Sequence, residues 1–462
     1  MRQAQQVDVA AVIDAAPLSR LQVRTIALCI AIAVLDGFDA QAIGFAAPAI
    51  STEWHIPVAG FGLVFAAGLF GMMVGGMVFG PVADRLGRRR VVLVSTATFS
   101  VFALAHTLAP NTDVLLVLRF LCGIGLGGIT PNLIALASEY SPARRRGTIV
   151  TLVVAAMSLG GFLGGFLATA LIPSFGWQSV FVVGGTLPLI LLAVGSRALP
   201  ESIRFLVTTG RSERAATLLS RISPATEIDE RTELLLPETT ARRSPVRTLF
   251  VQHRGLITVL LWTVFFMNLL VIYFLLNWMP SLFKQAGLSA SLALIATSLY
   301  NLGGVIGSIG IGYLADRSRS TFRLLAIGYV AAAVLIGLTA AVAGNAPLML
   351  TAVFLVGVGI SGNQTGISAV AADVYPTVAR ATGVGWAYGI GRIGSIIGPV
   401  VGGLLIAAGL AAITIFSLTI VPTIVAALGI VALAAAVRRR RTVESAESPA
   451  TEVAGPATQS ST

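Results

Sequence analysis

Twelve apolar stretches, each about twenty residues long, divide this chain, and their length limits what it can fold into. About 20 residues rising about 1.5 Å each cross the roughly 30 Å of hydrocarbon in a bilayer. The spans read at 25–48, 59–80, 91–109, 113–138, 148–170, 177–197, 255–279, 291–313, 322–343, 347–371, 382–405 and 411–436. Charge agrees with that reading. Only 11% of the residues are charged, whereas a soluble globular chain carries roughly 25%. Most of the surface is therefore expected to face something other than water.

The net charge is +11, but no basic face with interleaved aromatics accompanies it, so nucleic acid is not an expected partner. The positive charge sits in short loops that fall on alternate sides of the spans. One side holds Arg20 and Arg24; Arg85, Arg88, Arg89 and Arg90; Arg144, Arg145 and Arg146; the long segment 198–254; Arg317, Arg319 and Arg323; Arg380; and Arg438 to Arg441. The other side is almost free of basic residues apart from Lys284. Cytoplasmic loops collect Lys and Arg, so both termini and segment 198–254 are expected in the cytoplasm. Cys29 and Cys122 lie inside apolar spans and read as core filler. The three histidines are scattered, so no metal and no cofactor is expected. Residues 1–24 lack a secretory cleavage pattern.

The central segment places Ala215, Leu218, Leu219 and Ile222 at helical spacing, which predicts an amphipathic helix lying on the membrane surface. The stretch after Arg441 is too polar to bury a core and predicts disorder. An internal repeat organises the rest. Gly80-Pro-Val-Ala-Asp84-Arg85 recurs 232 positions on as Gly312-Tyr-Leu-Ala-Asp316-Arg317. Glu139-Tyr-Ser-Pro142 recurs 234 positions on as Asp373-Val-Tyr-Pro376, and Gly123 and Gly125 recur at that offset as Gly357 and Gly359. Two independent motifs at nearly one offset imply two homologous halves, the plan of many secondary transporters. The expected organisation is a cytoplasmic segment 1–24, a six-helix bundle 25–197, a cytoplasmic loop 198–254, a second bundle 255–436, and a basic then disordered tail 437–462. The fold class is an all-α membrane protein with twelve transmembrane helices in two six-helix halves.

The loop Gly80-Pro-Val-Ala-Asp84-Arg85-Leu-Gly87-Arg88-Arg89-Arg90, with its second copy at Asp316, resembles the signature of the major facilitator superfamily over about residues 20–440. A narrower likeness lies in the first span, Leu35-Asp36-Gly37-Phe38-Asp39-Ala-Gln41, in the approach Asp14-Ala-Ala-Pro17-Leu18-Ser19-Arg20, and in Gly391-Arg392-Ile393-Gly394 of span eleven. These resemble the aromatic acid:proton symporters. That resemblance implies proton-driven uptake of a small aromatic carboxylate such as benzoate, a hydroxybenzoate or protocatechuate across the bacterial inner membrane, by a functional monomer. Span five reads Ser158-Leu-Gly160-Gly161-Phe-Leu-Gly164-Gly165, without the Gly-Pro-x-x-Gly-Gly element of drug exporters in this superfamily, which argues against export.

Asp36 and Asp39 carry the sharpest chemical signal. A charge at mid-bilayer costs roughly 2.5–3.5 kcal/mol on the insertion scale, and two in one span at i, i+3 share one helix face. Such carboxyls can bind and release a proton, which makes them the expected proton-coupling pair. Arg119 in span four and Arg392 in span eleven lie at similar depths, about 15–21 Å from the basic end by helix rise. A guanidinium grips a carboxylate through two parallel hydrogen bonds, so both arginines are expected substrate ligands; the alternative is a permanent Asp–Arg bridge. Asn268, Tyr273, Asn301, Gln364 and Trp386 are expected to line the substrate site, with Tyr300, Asn363 and Tyr388 as further polar or aromatic groups of the second half. Gly68, Gly71, Gly75 and Gly76 read as close packing.

A conformational latch is expected from Gly80, Asp84, Arg85, Gly87, Arg88, Glu139 and Arg146, with Asp316, Arg317, Asp373 and Arg380 in the second half. Asp84 would meet the positive end of span eleven near Thr382, Asp316 that of span five near Thr148, and Arg88 would pair with Glu139. Rival readings are a symporter of another organic anion or sugar-like metabolite and a transporter-like sensory receptor. No span holds a nucleophile–base pair or a metal cluster, so an enzyme is not expected. The topology is checked by cysteine labelling from outside the cell, which should reach a probe at Ser174 or Asn345 and not one at Ser212; strong labelling at Ser212 would sink it.

Overall fold

The computed structural model describes residues 6–224, 232–236, 246–251, 254–318, 320–342 and 344–447. Twelve helices in it are long and apolar enough to cross a membrane. The first six are α1 (Arg20–Glu53), α2 (Phe61–Leu86), α3 (Arg88–Ala105), α4 (Thr112–Glu139), α5 (Ala143–Phe175) and α6 (Gln178–Ala198). The second six are α7 (Gly255–Gln285), α8 (Ala290–Arg317), α9 (Thr321–Ala341), α10 (Ala346–Val374), α11 (Thr377–Ala407) and α12 (Ile420–Glu447). A short helix, Ala412–Leu418, precedes α12. One small sheet breaks the helical pattern among the described residues. Strands β1 (Gln6–Asp8) and β2 (Glu233–Leu235) pair in parallel, with Gln6 opposite Glu233.

Side-chain oxygens cap many of the helix ends. Ser19 and Gln22 form a reciprocal capping box at the start of α1, and Asn111, Ser289, Ser320 and Asn345 cap α4, α8, α9 and α10. Each cap satisfies an amide that has no partner within its own helix. Asp14 accepts from the Ala143 amide at 2.6 Å, so a residue ahead of α1 caps α5.

Within the first half, glycines set the helix spacing. A Cβ at Gly37 of α1 would run into the backbone of Met157 in α5, and one at Gly160 of α5 into the Val34 carbonyl of α1. Gly71 and Gly75 of α2 meet the backbone of α4 at Phe120 and Ile124 in the same way. Small residues let backbones approach where lipid supplies no hydrophobic drive between helices, so the glycines of span two pack as expected.

The two halves touch along the helix pairs α1–α7, α2–α11 and α5–α8. These pairs are tight at the end away from the arginine loops. A Cβ at Gly62 of α2 would lie 2.9 Å from the Pro399 carbonyl of α11, and one at Gly44 of α1 3.1 Å from the Leu276 carbonyl of α7. Lys284 Nζ donates to the Pro48 carbonyl at 3.1 Å and to Thr52 Oγ1 at 3.0 Å, tying α7 to α1. Toward the arginine loops the pairs splay. Cβ atoms built at Gly80 of α2, Gly385 of α11, Gly147 of α5 and Gly310 of α8 would meet nothing within 4 Å. The molecule is a V, sealed at one end and open at the basic end.

The predicted amphipathic helix forms as Ser212–Ile222, but its apolar face does not rest on lipid. Ala215, Leu219 and Ile222 are buried in a cluster with Val9, Val12, Ile13 and Leu206, because helix Val9–Ala15 and segment Ile203–Thr208 cover that face. The stretch just after Arg441, where disorder was expected, is instead the end of α12, which continues to Glu447; the rest of that expectation, residues 448–462, lies outside the described residues. Gly37→Ala should lower the thermal unfolding midpoint by several degrees, because overpacking a tight contact costs typically about 1–3 kcal/mol. Fluorescence unfolding of the purified protein reads this, and an unchanged midpoint would show that α1 and α5 can part at no cost.

Candidate functional site

Asp36 and Asp39 are both fully buried, and both reach α4. Arg119 Nη1 lies 3.3 Å from Asp39 Oδ2, and its Nη2 donates to the carbonyls of Asp39 at 3.0 Å and Ala40 at 2.7 Å. One guanidinium therefore laces α4 to both the side chain and the backbone of α1. The Cys122 thiol, one turn after Arg119, donates to Asp39 Oδ2 at 3.1 Å. Asp36 Oδ2 accepts from Thr130 Oγ1 at 2.8 Å. Oδ1 of each aspartate is buried with no hydrogen-bond partner among the described residues.

Arg392 is placed differently. It is half-buried in α11, and its Nη1 donates to the Tyr273 hydroxyl of α7 at 3.1 Å. Its guanidinium carbon lies 5.8 Å from the Tyr273 ring centre. Among the described residues Arg392 forms no ion pair.

Between the halves lies a cavity of about 190 Å³. That is the scale of a single-ring acid. Its walls come from α1, α5, α7, α8 and α10, and they include Leu269, Ile272, Leu276 and Tyr300 as well as polar groups of Gln41, Ser158, Tyr273, Asn277, Asn301, Ser361 and Gln364. Gln41 of α1 and Asn301 of α8 exchange amide hydrogen bonds at 3.1 and 2.8 Å across the two halves. Asn268 Nδ2 donates to Gln364 Oε1 at 2.7 Å, which leaves Gln364 Nε2 buried with no partner among the described residues.

The expected substrate set divides on this geometry. Tyr273, Asn301 and Gln364 line the cavity, Asn268 stands behind Gln364, and Arg392 is held by Tyr273. Arg119, Arg392 and Trp386 are not on its walls; Arg392 touches it only through Tyr273. Arg119 lies behind α1, spent on Asp39 and two carbonyls. Trp386 is 43% exposed and stacks on the half-buried Trp262 at 5.9 Å; an exposed indole suits a membrane interface. Asn363 faces α9, where it donates to the Leu325 carbonyl.

Sequence reasoning missed several groups. Gln41, Asn277, Ser158 and Ser361 on the walls and Thr130 on Asp36 were not picked out as site residues. Asn277 could have been found four residues after Tyr273, on the same helix face. Cys122 was read as filler, although it stands one turn from Arg119 on the face that meets Asp39.

The latch residues form no closed array in this open V. Asp84 and Arg85 are exposed, and Asp84 makes no ion pair among the described residues. The Asp316 side chain lies outside the described residues. Gly80 faces open space, and Gly87 takes φ +96° to turn α2 into α3, beside the Glu201 carboxylate. Arg88 pairs with Glu139 at 2.5 Å. Arg146 donates to the Ser141 carbonyl, Arg317 bonds and stacks on Tyr313, and Asp373 and Arg380 are exposed.

The Major Facilitator Superfamily model matches residues 29–361 and 297–460. The chain is 40% identical over 427 residues to the 4-hydroxybenzoate transporter PcaK of Pseudomonas putida, covering 92% of this chain and 95% of that one. It is 39% identical to the gallate transporter of the same organism, with the same coverage, and 33% identical to the benzoate transport protein of Acinetobacter baylyi, covering 87% of each. Among solved structures, a D-xylose–proton symporter superposes with TM-score 0.69 at 16% identity, covering 88% of this chain and 97% of that one, a likeness of fold. The matched family and these relatives are transporters, not enzymes.

The two arginines should separate by experiment. Arg119→Gln leaves Asp39 buried without its counter-charge, which typically costs about 3–5 kcal/mol, so yield and thermal midpoint should fall sharply. Asp39→Asn in the same chain should restore part of that loss. Arg392→Gln should leave the midpoint nearly unchanged, because only a hydrogen bond to an exchangeable hydroxyl is lost. Equal destabilisation by the two substitutions would count against the division.

Proposed function

The chain belongs to the Major Facilitator Superfamily, a multi-pass membrane transporter, and we propose that it takes up a small aromatic carboxylate together with a proton across the bacterial inner membrane by alternating access. One observation carries the reading. Arg392 is an intramembrane guanidinium beside the cavity between the halves, and it holds only a tyrosine hydroxyl, with no carboxylate among the described residues. The relatives at 33–40% identity, transporters of 4-hydroxybenzoate, gallate and benzoate, support an aromatic acid. The apolar wall of Leu269, Ile272, Leu276 and Tyr300 supports a ring, and the amides of Asn277 and Gln364 suit ring hydroxyls.

With the arginine loops in the cytoplasm, both termini and segment 198–254 lie there, the open end of the V faces inward, and the Lys284 seal faces outward. One chain holds both halves and the cavity, which supports a functional monomer in the bilayer whose only cargo is the acid and protons. No cofactor is invoked.

Charge neutrality couples the two cargoes. In the empty site, two carboxylates and two guanidiniums sum to zero. Asp39 stays with Arg119. The substrate carboxylate displaces the Tyr273 hydroxyl from Arg392 and takes the guanidinium in a bidentate grip. Asp36 then loses the field that balanced it and gains a proton. One anion and one proton together leave the sum at zero. Either cargo alone leaves a net charge, at roughly 2.5–3.5 kcal/mol, or about a hundredfold in population at about 1.4 kcal/mol per tenfold. The halves therefore rock around the site when it holds both or neither.

On the cytoplasmic face, Asp84 meets the positive end of α11 near Thr382 when the V closes there, and Asp316 that of α5 near Thr148. Gly80, Arg85, Gly87, Arg146, Arg317, Asp373 and Arg380 frame these contacts, while Arg88 and Glu139 hold α3 to α4 throughout.

Uptake of labelled 4-hydroxybenzoate, benzoate, gallate and xylose into proteoliposomes under an imposed inward proton gradient tests the reading. Aromatic acids should accumulate and xylose should not, and a protonophore should abolish accumulation. Asp36→Asn should lose accumulation yet still exchange labelled for unlabelled acid, because exchange need not release the proton. Asp84→Asn should slow transport with surface expression intact. If Asp36→Asn and Asp39→Asn both accumulate the acid as well as wild type, the proton site lies elsewhere.

A further inference from the structure

A second cavity, of about 670 Å³, opens at the basic end of the second half, between the start of α9 and the ends of α10 and α12. It is remote from the transport site and unused by it. Arg323, Arg438 and Arg440 line it against one carboxylate, Asp373. The remaining wall is apolar, with Phe322, Val370 and Val431. Val431 is 54% exposed on the outside of the bundle, so that wall is continuous with the surface that lipid chains cover. Among the described residues neither Arg323 nor Arg438 forms an ion pair. Arg440 donates to the Val374 carbonyl at 3.4 Å, joining α12 to α10.

The internal repeat says what belongs in such a corner. At the offsets of the two motifs, Ser320 stands where the first half has Arg88, and Asp373 where it has Glu139. In the first half this corner is filled by the chain itself. Arg88 bridges Glu139 at 2.5 Å, and the segment after α6 adds a second acid: Glu201 accepts from the Arg89 amide at 3.0 Å, and the Ser202 hydroxyl bonds Glu139. In the second half the arginine opposite the acid is replaced by serine. Helix α12 runs on to Glu447, where the described residues end. Among the described residues the corner holds Arg323 and Arg438 with no ion pair, and no second acid is seen where the first half has Glu201.

We propose that this corner binds the headgroup of an anionic phospholipid. The phosphate meets Arg323 and Arg438, and an acyl chain follows the apolar wall toward Val431. A soluble anion would leave that wall uncovered. Basic pockets at the cytoplasmic ends of membrane helices suit anionic headgroups, and the site holds α9, α10 and α12 together at the end where the V opens.

Native mass spectrometry of the purified full chain with phosphatidylglycerol, phosphatidylethanolamine or glycerophosphoglycerol tests this. Phosphatidylglycerol should be retained roughly thirtyfold over phosphatidylethanolamine, as each of the two arginines adds about 1 kcal/mol toward an anionic lipid, and the deacylated headgroup should not be retained. The double variant Arg323→Gln, Arg438→Gln should fall to the phosphatidylethanolamine level with its thermal midpoint unchanged; should it fail to purify, each single variant should show part of that loss. Undiminished retention by these variants, or equal retention of the deacylated headgroup, overturns the proposal. A chain ending at Thr442, which lacks Glu444, Glu447 and Glu452, should retain the lipid as wild type does. A several-fold rise on that truncation would mean that the acidic tail occupies the corner, and would also overturn it.

Discussion

The bond between Arg119 and α1 fixes the frame on which the rest of the molecule depends. A guanidinium in hydrocarbon has to be neutralised and its donors used, and Arg119 achieves both against one neighbour: the Asp39 carboxylate and two successive carbonyls. Helix α1 is thereby tied to α4 at mid-membrane. The glycine contacts at Gly37 and Gly160 tie the same stretch of α1 to α5. Three helices of the first half are locked where the cavity begins, and the Asp36 carboxylate is carried on that rigid stretch. Any rearrangement is then left to the contacts between halves.

Those contacts are of another kind. The Gln41–Asn301 amide pair and the Lys284 bonds are neutral or singly charged hydrogen bonds. Net contributions of such bonds are about 0.5–1.5 kcal/mol each, well below the cost of breaking the buried ion pair, about 3–5 kcal/mol. The ordering suits a device in which each half moves as a body. It also explains why Arg392 differs from Arg119. Arg392 reaches from α11 to Tyr273 on the cavity wall of α7, held by one hydroxyl that another acceptor can replace.

Much of this was legible in the sequence. Apolar length gave the twelve spans, the offset repeat gave two halves, and two aspartates in one span marked the charged centre. What stayed hidden was direction around the helix axis. Rise per residue places Arg119 and Asp39 at one height, and they do meet, but height alone cannot say that α4 approaches α1 from the side away from the cavity. Arg119 and Arg392 therefore read alike and lie apart. The last span was read as one run, but the helix breaks at Thr419; Pro422, whose missing N–H suits the first turn of a helix, was the available signal. The amphipathic helix 212–222 was right in period, but its partner, helix Val9–Ala15, lies some two hundred positions away, where no local pattern reaches.

Lys284 is the one lysine side chain in the sequence, and its amine is engaged at the sealed mouth of the V. Reagents that acylate primary amines thus find a single side chain to modify, apart from the chain's amino terminus. While the mouth is shut, Nζ is occupied by the Pro48 carbonyl and the Thr52 hydroxyl; under the proposed alternating access, α1 and α7 part there and release it. The wild-type molecule carries its own chemical clock for the opening of that mouth, readable without any engineered probe.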